Sequence, residues 1–293
     1  MIEYMGLQRF PLKYRNVFVA AAVFACGVLV FALPAHAATV YLSGTITSSS
    51  AWTSNNVYVV TSSVTIASGT TITVNSGTIV KFVQDKHIYV DNHGVLNVLG
   101  DPNNEAYFTA LDDNSVGGNT NGNSTTTPAK GDGGYIEVFT GASTTINNAF
   151  VRYGGSDVTA LSNIYQFGGK LSLNNVTVAS SSNYGFNLVG GTATISSSTF
   201  ANNVYGIYEN QQPGVLTLTN NTFFNNSSAD GDIQWTTGTA MTASGDVDNV
   251  TSTGGYRGFI MGGTISTTTT WSKDLPYVMT TGITVGLLSL IHI

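Results

Sequence analysis

The segment Ile146-Asn147-Asn148-Ala149-Phe150-Val151 recurs without a gap as Leu173-Asn174-Asn175-Val176-Thr177-Val178, as Ile195-Ser196-Ser197-Ser198-Thr199-Phe200 and as Leu218-Thr219-Asn220-Asn221-Thr222-Phe223. The spacings are 27, 22 and 23 residues. Each copy opens on an apolar residue, continues through two polar ones and closes on an apolar one. A period of this length marks a stacked repeat, because one such unit cannot bury its apolar face alone and must lie on its neighbour. Stacking places Asn148, Asn175, Ser197 and Asn220 above one another at a bend. Amide side chains in such a column can hydrogen-bond along the stack, and Asn tolerates the left-handed backbone a sharp bend requires.

The flanking sequence fits the same scheme. Short runs rich in Val, Ile, Thr, Tyr and Phe are separated by Gly, Asn, Ser or Asp: Val57–Thr61, Thr71–Val74, Thr78–Val83, His87–Asp91, Gly94–Val98, Ala106–Leu111 and Gly134–Thr140. These are strand-and-turn signals, and no amphipathic helical period accompanies them. A leucine-rich repeat needs a denser leucine pattern. An antiparallel hairpin array needs more two-residue Asn-Gly turns. The expected fold is therefore all-β, a parallel β-helix with two or three short strands in each coil.

A second repeat is much longer. Gly44-Thr45-Ile46, Trp52, Tyr58-Val59, Thr61 and Thr65 reappear as Gly263-Thr264-Ile265, Trp271, Tyr277-Val278, Thr280 and Thr284, each offset by 219 residues. This predicts a module over 38–262 and the opening of a second copy over 263–287. After Val285 the register calls for a polar turn, but the chain continues Leu287-Leu288-Ser289-Leu290-Ile291-His292-Ile293. Residues 288–293 resemble the translation of a transposon-end sequencing adapter and are set aside as a scar, which implies a longer gene product.

Residues 1–37 read as a secretory signal peptide. Arg9, Lys13 and Arg15 form a basic start, Val17–Leu33 is apolar, and Ala35-His36-Ala37 matches a cleavage site. An uncleaved membrane anchor competes with this, although 17 apolar residues are short for a span. Cleavage removes Cys26, the only cysteine, and leaves 7 basic and 15 acidic residues, a net charge of −8. The expected product is secreted or at the cell surface, without disulfides and without a membrane span. Charged residues are only 9% of the whole chain, while Ser, Thr and Asn make up roughly a third. An acidic chain lacks the basic face that nucleic acid demands, so no nucleic-acid partner is expected. With 42% hydrophobic residues a core can form, which excludes charged, apolar-poor disorder.

The run from Val64 through Val74 to Gly77-Thr78-Ile79-Val80-Lys81-Phe82, then Gly94–Gly100 and Tyr107-Phe108-Thr109-Ala110, resembles the opening coils of secreted bacterial β-helix proteins of the pectin-lyase-like class. The resemblance covers about residues 40–285 and implies a right-handed helix. It also implies that polysaccharide lyase and glycoside hydrolase activity must be considered. Hydrolysis needs two carboxyl groups across the scissile bond, and Asp112-Asp113 is the one adjacent acidic pair. The further Asp, Gly-His-Gly and Arg-Ile-Lys elements of polygalacturonases are missing; Asn92-His93-Gly94 is the nearest match and precedes the Asp pair. Lyases of this fold resemble calcium enzymes with a basic catalytic residue, yet Lys81, Lys86, Lys130, Arg152, Lys170, Arg257 and Lys273 are scattered. His87 and His93 lack the companions of a zinc site.

Two features remain as binding candidates. In the insertion Leu111–Gly134, Asn119, Asn121 and Asn123 offer oxygens at alternate positions, and Asp112 and Asp113 could join them around calcium. Tyr153, Tyr165, Phe167, Tyr184, Tyr205 and Tyr208 could stack on sugar rings if exposed. The expected function is a structural or adhesive β-helix module that binds extracellular polysaccharide or cell-surface glycans and stacks on neighbouring modules. The alternative is a lyase or glycoside hydrolase.

Overall fold

Alternation of apolar and polar residues puts one side of each short strand inside, and the bends decide how those strands close around it. A computed structural model describes residues 37–123, 127–209, 213–235, 238–249, 255–287 and 289–293. The signal peptide expected over 1–37 lies outside the described residues except for Ala37, and so does Leu288 of the expected scar. Residues Ala37–Ile293 form one unit. It is all-β, a parallel solenoid of about 10 turns, and no helix occurs among the described residues.

Three ladders of parallel strands run along it. The first begins with 38–42 and 56–60 and continues through Ile79–Phe82, Ala106–Ala110, 149–151, 177–179, Thr199–Ala201, Thr222–Phe224 and Val247–Asp248. The second includes His87–Val90, Tyr135–Val138, Ser162–Gln166, Tyr184–Leu188, Tyr205–Glu209, Ala229–Trp235 and Phe259–Ile265. The third includes Thr71–Asn75, Val95–Leu99, 143–147, 170–174, Gly191–Ser196, Gly214–Thr219, Ala240–Ser244 and Thr269–Thr270. The expected strand at Val57–Thr61 runs further, as Asn56–Ile66, because it serves the first and second ladders in one piece.

The aligned hexapeptides stack as their pattern requires. Ile146, Leu173, Ile195 and Leu218 form one buried column, and Val151, Val178, Phe200 and Phe223 form another. Each such buried side chain contributes about 1.5–3 kcal/mol. Phe200 and Phe223 stack with centroids 5.4 Å apart, and Phe259 meets Phe223 edge-on at 5.1 Å. Phe259 fits because its register partner is Gly231, where a Cβ would lie 3.0 Å from the ring.

The bends carry the amide columns. Asn148, Asn175, Ser197 and Asn220 all have left-handed backbone, with φ of 49°, 55°, 50° and 56°. Asn175 Nδ2 donates to Asn148 Oδ1 at 2.7 Å. A deeper column lies one residue on: Ser198 N donates to Asn221 Oδ1 at 2.9 Å, and Asn221 N and Nδ2 both donate to Asp246 Oδ1 at 2.8 Å. The bend between the first and second ladders repeats the device with left-handed Asn202 and Asn225 outside and buried Asn203 and Asn226 inside.

The long repeat reappears in the pairing. Leu42 pairs with Val60 and Gly44 with Val64, across a register shift; Met261 pairs with Met279 and Gly263 with Ile283, across a shift at the same offset. Trp52 stacks on Tyr58 at 5.1 Å, and Trp271 on Tyr277 at 4.7 Å. Ile291 and His292 pair with Thr269 and Thr270, as Ile72 and Thr73 do with Ser50 and Ala51.

Candidate functional site

The adjacent carboxylates Asp112 and Asp113 diverge. Asp113 is buried and accepts from Thr109 Oγ1 at 2.5 Å, Ser115 Oγ at 2.6 Å and Arg152 Nη2 at 2.6 Å. Burial pushes its carboxyl up, but the hydrogen bonds from Ser115 and Thr109 and the Arg152 guanidinium outweigh it and hold the group below its ordinary value. Asp112 instead accepts from Asn121 Nδ2 and from Asn123 Nδ2, the latter at 2.7 Å. Asn119 Oδ1 accepts from Gly122 N at 2.8 Å. Asp112 therefore gathers with the Asn119–Asn123 turn, while Asp113 faces Arg152. Among the described residues no three His, Cys, Asp or Glu side chains converge as metal ligands would.

The insertion that carries these residues folds back over the outer side of the first ladder. Lys81, fully buried, donates from Nζ to Gly118 O at 2.6 Å. Gly117 lies against Val57 and Ile79. Arg152 also packs its guanidinium within 5.5 Å of the Tyr107 ring centroid and 5.3 Å of the Tyr153 ring centroid. Lys81 and Arg152 thus anchor a cover.

The outer side of the second ladder gathers the aromatic candidates. Register sets Tyr89, Glu137, Tyr165, Asn187, Tyr208 and Asp232 in one column across successive coils, about 4.8 Å apart. Tyr184 stacks flat on Tyr208, with centroids 4.0 Å apart, and Tyr205 lies 6.1 Å from Tyr208. At the other margin Phe139 contacts Tyr89 and stacks on exposed Phe167, both at 5.4 Å. Tyr135 and Tyr165 are buried with Ala160 and Val189 in a small apolar cluster apart from the main core. The loop 153–161 supplies Ala160, whose carbonyl accepts from Asn187 Nδ2 at 3.1 Å. Tyr153 itself takes the left-handed bend position, with φ of 71°.

This face is acidic. Burial, with Asp157 adding to it, pushes Glu137 up to about 6. Burial raises the Asp232 carboxyl, and burial, then Asp157 and Glu137, raises the Tyr135 phenol. His87 Nε2 lies 3.9 Å from Glu137 Oε2, its ring 4.7 Å from Tyr135, and its Nδ1 meets Ser63 Oγ at 3.2 Å. Burial lowers the His87 pKa. His93 sits apart, exposed at a bend with φ of 59°. The residues missed in the sequence are Tyr89, Glu137, Asp157 and Asp232. Their signal is the coil register, which aligns Tyr89, Glu137 and Asp232 with Tyr165 and Tyr208.

Chemically, the face offers stacked phenol rings for apolar ring surfaces and carboxylates for hydroxyl or cationic groups. Compared with protein-family profiles, curated proteins and solved structures, the chain gives no significant match in any of the three.

Proposed function

We propose that this chain is an extracellular β-helix module with a structural or adhesive role that binds glycans along the outer side of its second ladder. The observation that carries this reading is the half-buried Tyr184–Tyr208 stack, with Tyr205 beside it and Asp232 on the next coil. Tyrosines there present an apolar face and a polar tip, which suits a sugar ring, and a regular solenoid holds them at fixed intervals. The basic, apolar and Ala-x-Ala segments of residues 1–37 support export. The resemblance to pectin-lyase-like β-helix proteins supports a polysaccharide partner.

Glycan-array screening of the intact chain tests this, followed by titration with the best glycan. Tyr184→Ala with Tyr208→Ala is expected to weaken binding about tenfold, the scale of one lost ring-stacking contact, without loss of fold. Unchanged affinity in that variant would remove the assignment of the face. The lyase or hydrolase alternative rests on Glu137, whose value near 6 beside Asp157 suits a general acid. Steady turnover of an acidic or neutral polysaccharide, abolished by Glu137→Gln, would replace the adhesive reading with the enzymatic one.

A further inference from the structure

The third ladder has an outer face of a different kind. Its strands pair without a register shift from Thr71–Asn75 to Ala240–Ser244. The central outward column reads Thr73, Asn97, Thr145, Ser172, Thr194, Thr217, Thr242 and Thr270, so six hydroxyl residues follow one another without interruption. The column beside it holds Asn147, Asn174, Ser196, Thr219 and Ser244. On the other side lie Ser143, Lys170, Thr192, Val215 and Ala240. Lys170 is the one charge in these columns, and no ring stands in them.

The hydroxyls of this central column differ from those at the bends. At the bends Ser and Asn bond to one another or to backbone, and in the column beside the central one Ser196 Oγ donates to Asn174 Oδ1 at 3.1 Å. In the central column the side chains of Thr145, Ser172, Thr194, Thr217 and Thr242 have no hydrogen-bond partner among the described residues. A shallow trough crosses the middle of the face between Ser143, Thr145, Ser172 and Thr194.

Geometry makes these hydroxyls a lattice. Neighbouring coils repeat at about 4.8 Å, and alternate residues along a strand at about 6.7 Å. Both intervals are close to oxygen repeats on the faces of hexagonal ice. Threonine is stiff at χ1, so its hydroxyl and methyl hold their places with little freedom to lose on binding. A charged face would keep a tightly held hydration shell of its own. A sugar would look for ring platforms, which this face lacks and the second ladder has.

We propose that the outer face of the third ladder binds ice, taking a crystalline water surface as its ligand through the Thr145–Thr270 column. This is independent of glycan binding on the second ladder.

The test uses the full chain in freezing assays. Slow growth of an ice front should concentrate the protein in the ice several-fold over an inert globular control, and thermal hysteresis should be measurable. Thr194→Lys with Thr217→Lys should abolish both while the circular dichroism stays that of the parent. Thr194→Val with Thr217→Val keeps β-branched shape and removes only the hydroxyls; it should reduce both, which guards against misfolding of the Lys variant. Tyr184→Ala with Tyr208→Ala should leave both unchanged. Exclusion of the folded parent from ice, or full ice partition by the double Lys variant, would overturn the proposal. So would retention on crystalline cellulose or chitin that depends on Thr194 and Thr217 while ice is ignored, since the lattice would then serve a polysaccharide.

Discussion

Asn220 and Asn221 are neighbours of one residue type with opposite tasks. Asn220 supplies a left-handed bend, with φ of 56°, and points outward. Asn221 turns in, is fully buried, and links Ser198, Ile195 and Asp246 through its amide. Asn221→Ala leaves a buried N–H and a buried carboxylate short of partners, and should cost about 1–3 kcal/mol. Asn220→Ala pays only the left-handed backbone penalty, about 1 kcal/mol, and Asn220→Gly should be close to neutral. Urea unfolding at neutral pH checks the order; a larger loss at Asn220 would contradict the inner column as the stronger one. Both residues look alike in the sequence, where the pair Asn-Asn gives the bend away but not which amide goes inside. The outer column of Asn148, Asn175, Ser197 and Asn220 was therefore legible, and the inner Ser198, Asn221 and Asp246 were not.

Among elements, the described residues of the insertion 111–134 form no strand and are held by Lys81 and Arg152. Arg152, on a strand of the first ladder, pairs with Asp113, whose side chain is only 2% exposed. Arg152→Met should strand that carboxylate and cost about 1–3 kcal/mol, the pair being open to solvent on the arginine side. Limited proteolysis should then cut within the insertion faster than in the parent while the β signal in circular dichroism persists. An unchanged cleavage rate would show that Lys81 and the Gly117 contact hold the cover alone. Nothing local in the sequence signals this arrangement, because Lys81 and Gly118 are 37 residues apart and Arg152 and Asp113 are 39 apart. The second-ladder face was hidden for a related reason. Loops of unequal length separate Glu137 from Tyr165 and Tyr208 from Asp232, so only strand pairing reveals the column. The strands themselves were legible, since alternation and turn residues are local.

Across the whole molecule, buried carboxyls set the response to pH. Burial pushes Glu209, which faces inward and accepts from Thr239, up to about 8. Burial also raises Asp230, next to Asp248, and brings Glu137 to about 6. A carboxyl raised in the folded state favours folding at low pH, and that advantage is lost as the pH climbs through its folded value. Asp113 has the opposite sign: its contribution is present at higher pH and disappears on acidification. The melting temperature should therefore peak near about pH 5 and fall toward pH 9, and Glu209→Gln should flatten the fall and raise the midpoint on the alkaline side. A midpoint that climbs steadily from pH 5 to 9 would refute this balance. The coils themselves carry a different implication. Along the strand ladders each coil pairs only with the coils beside it, and the bend from Ser198 to Thr199 is chemically like the bend from Asn221 to Thr222. Loss of residues 199–221 would bring Thr222 over Thr177 and Phe223 over Val178, a like-for-like seating. Length is thus a heritable variable that recombination between coils can change in whole steps, leaving the ladders and their faces in phase.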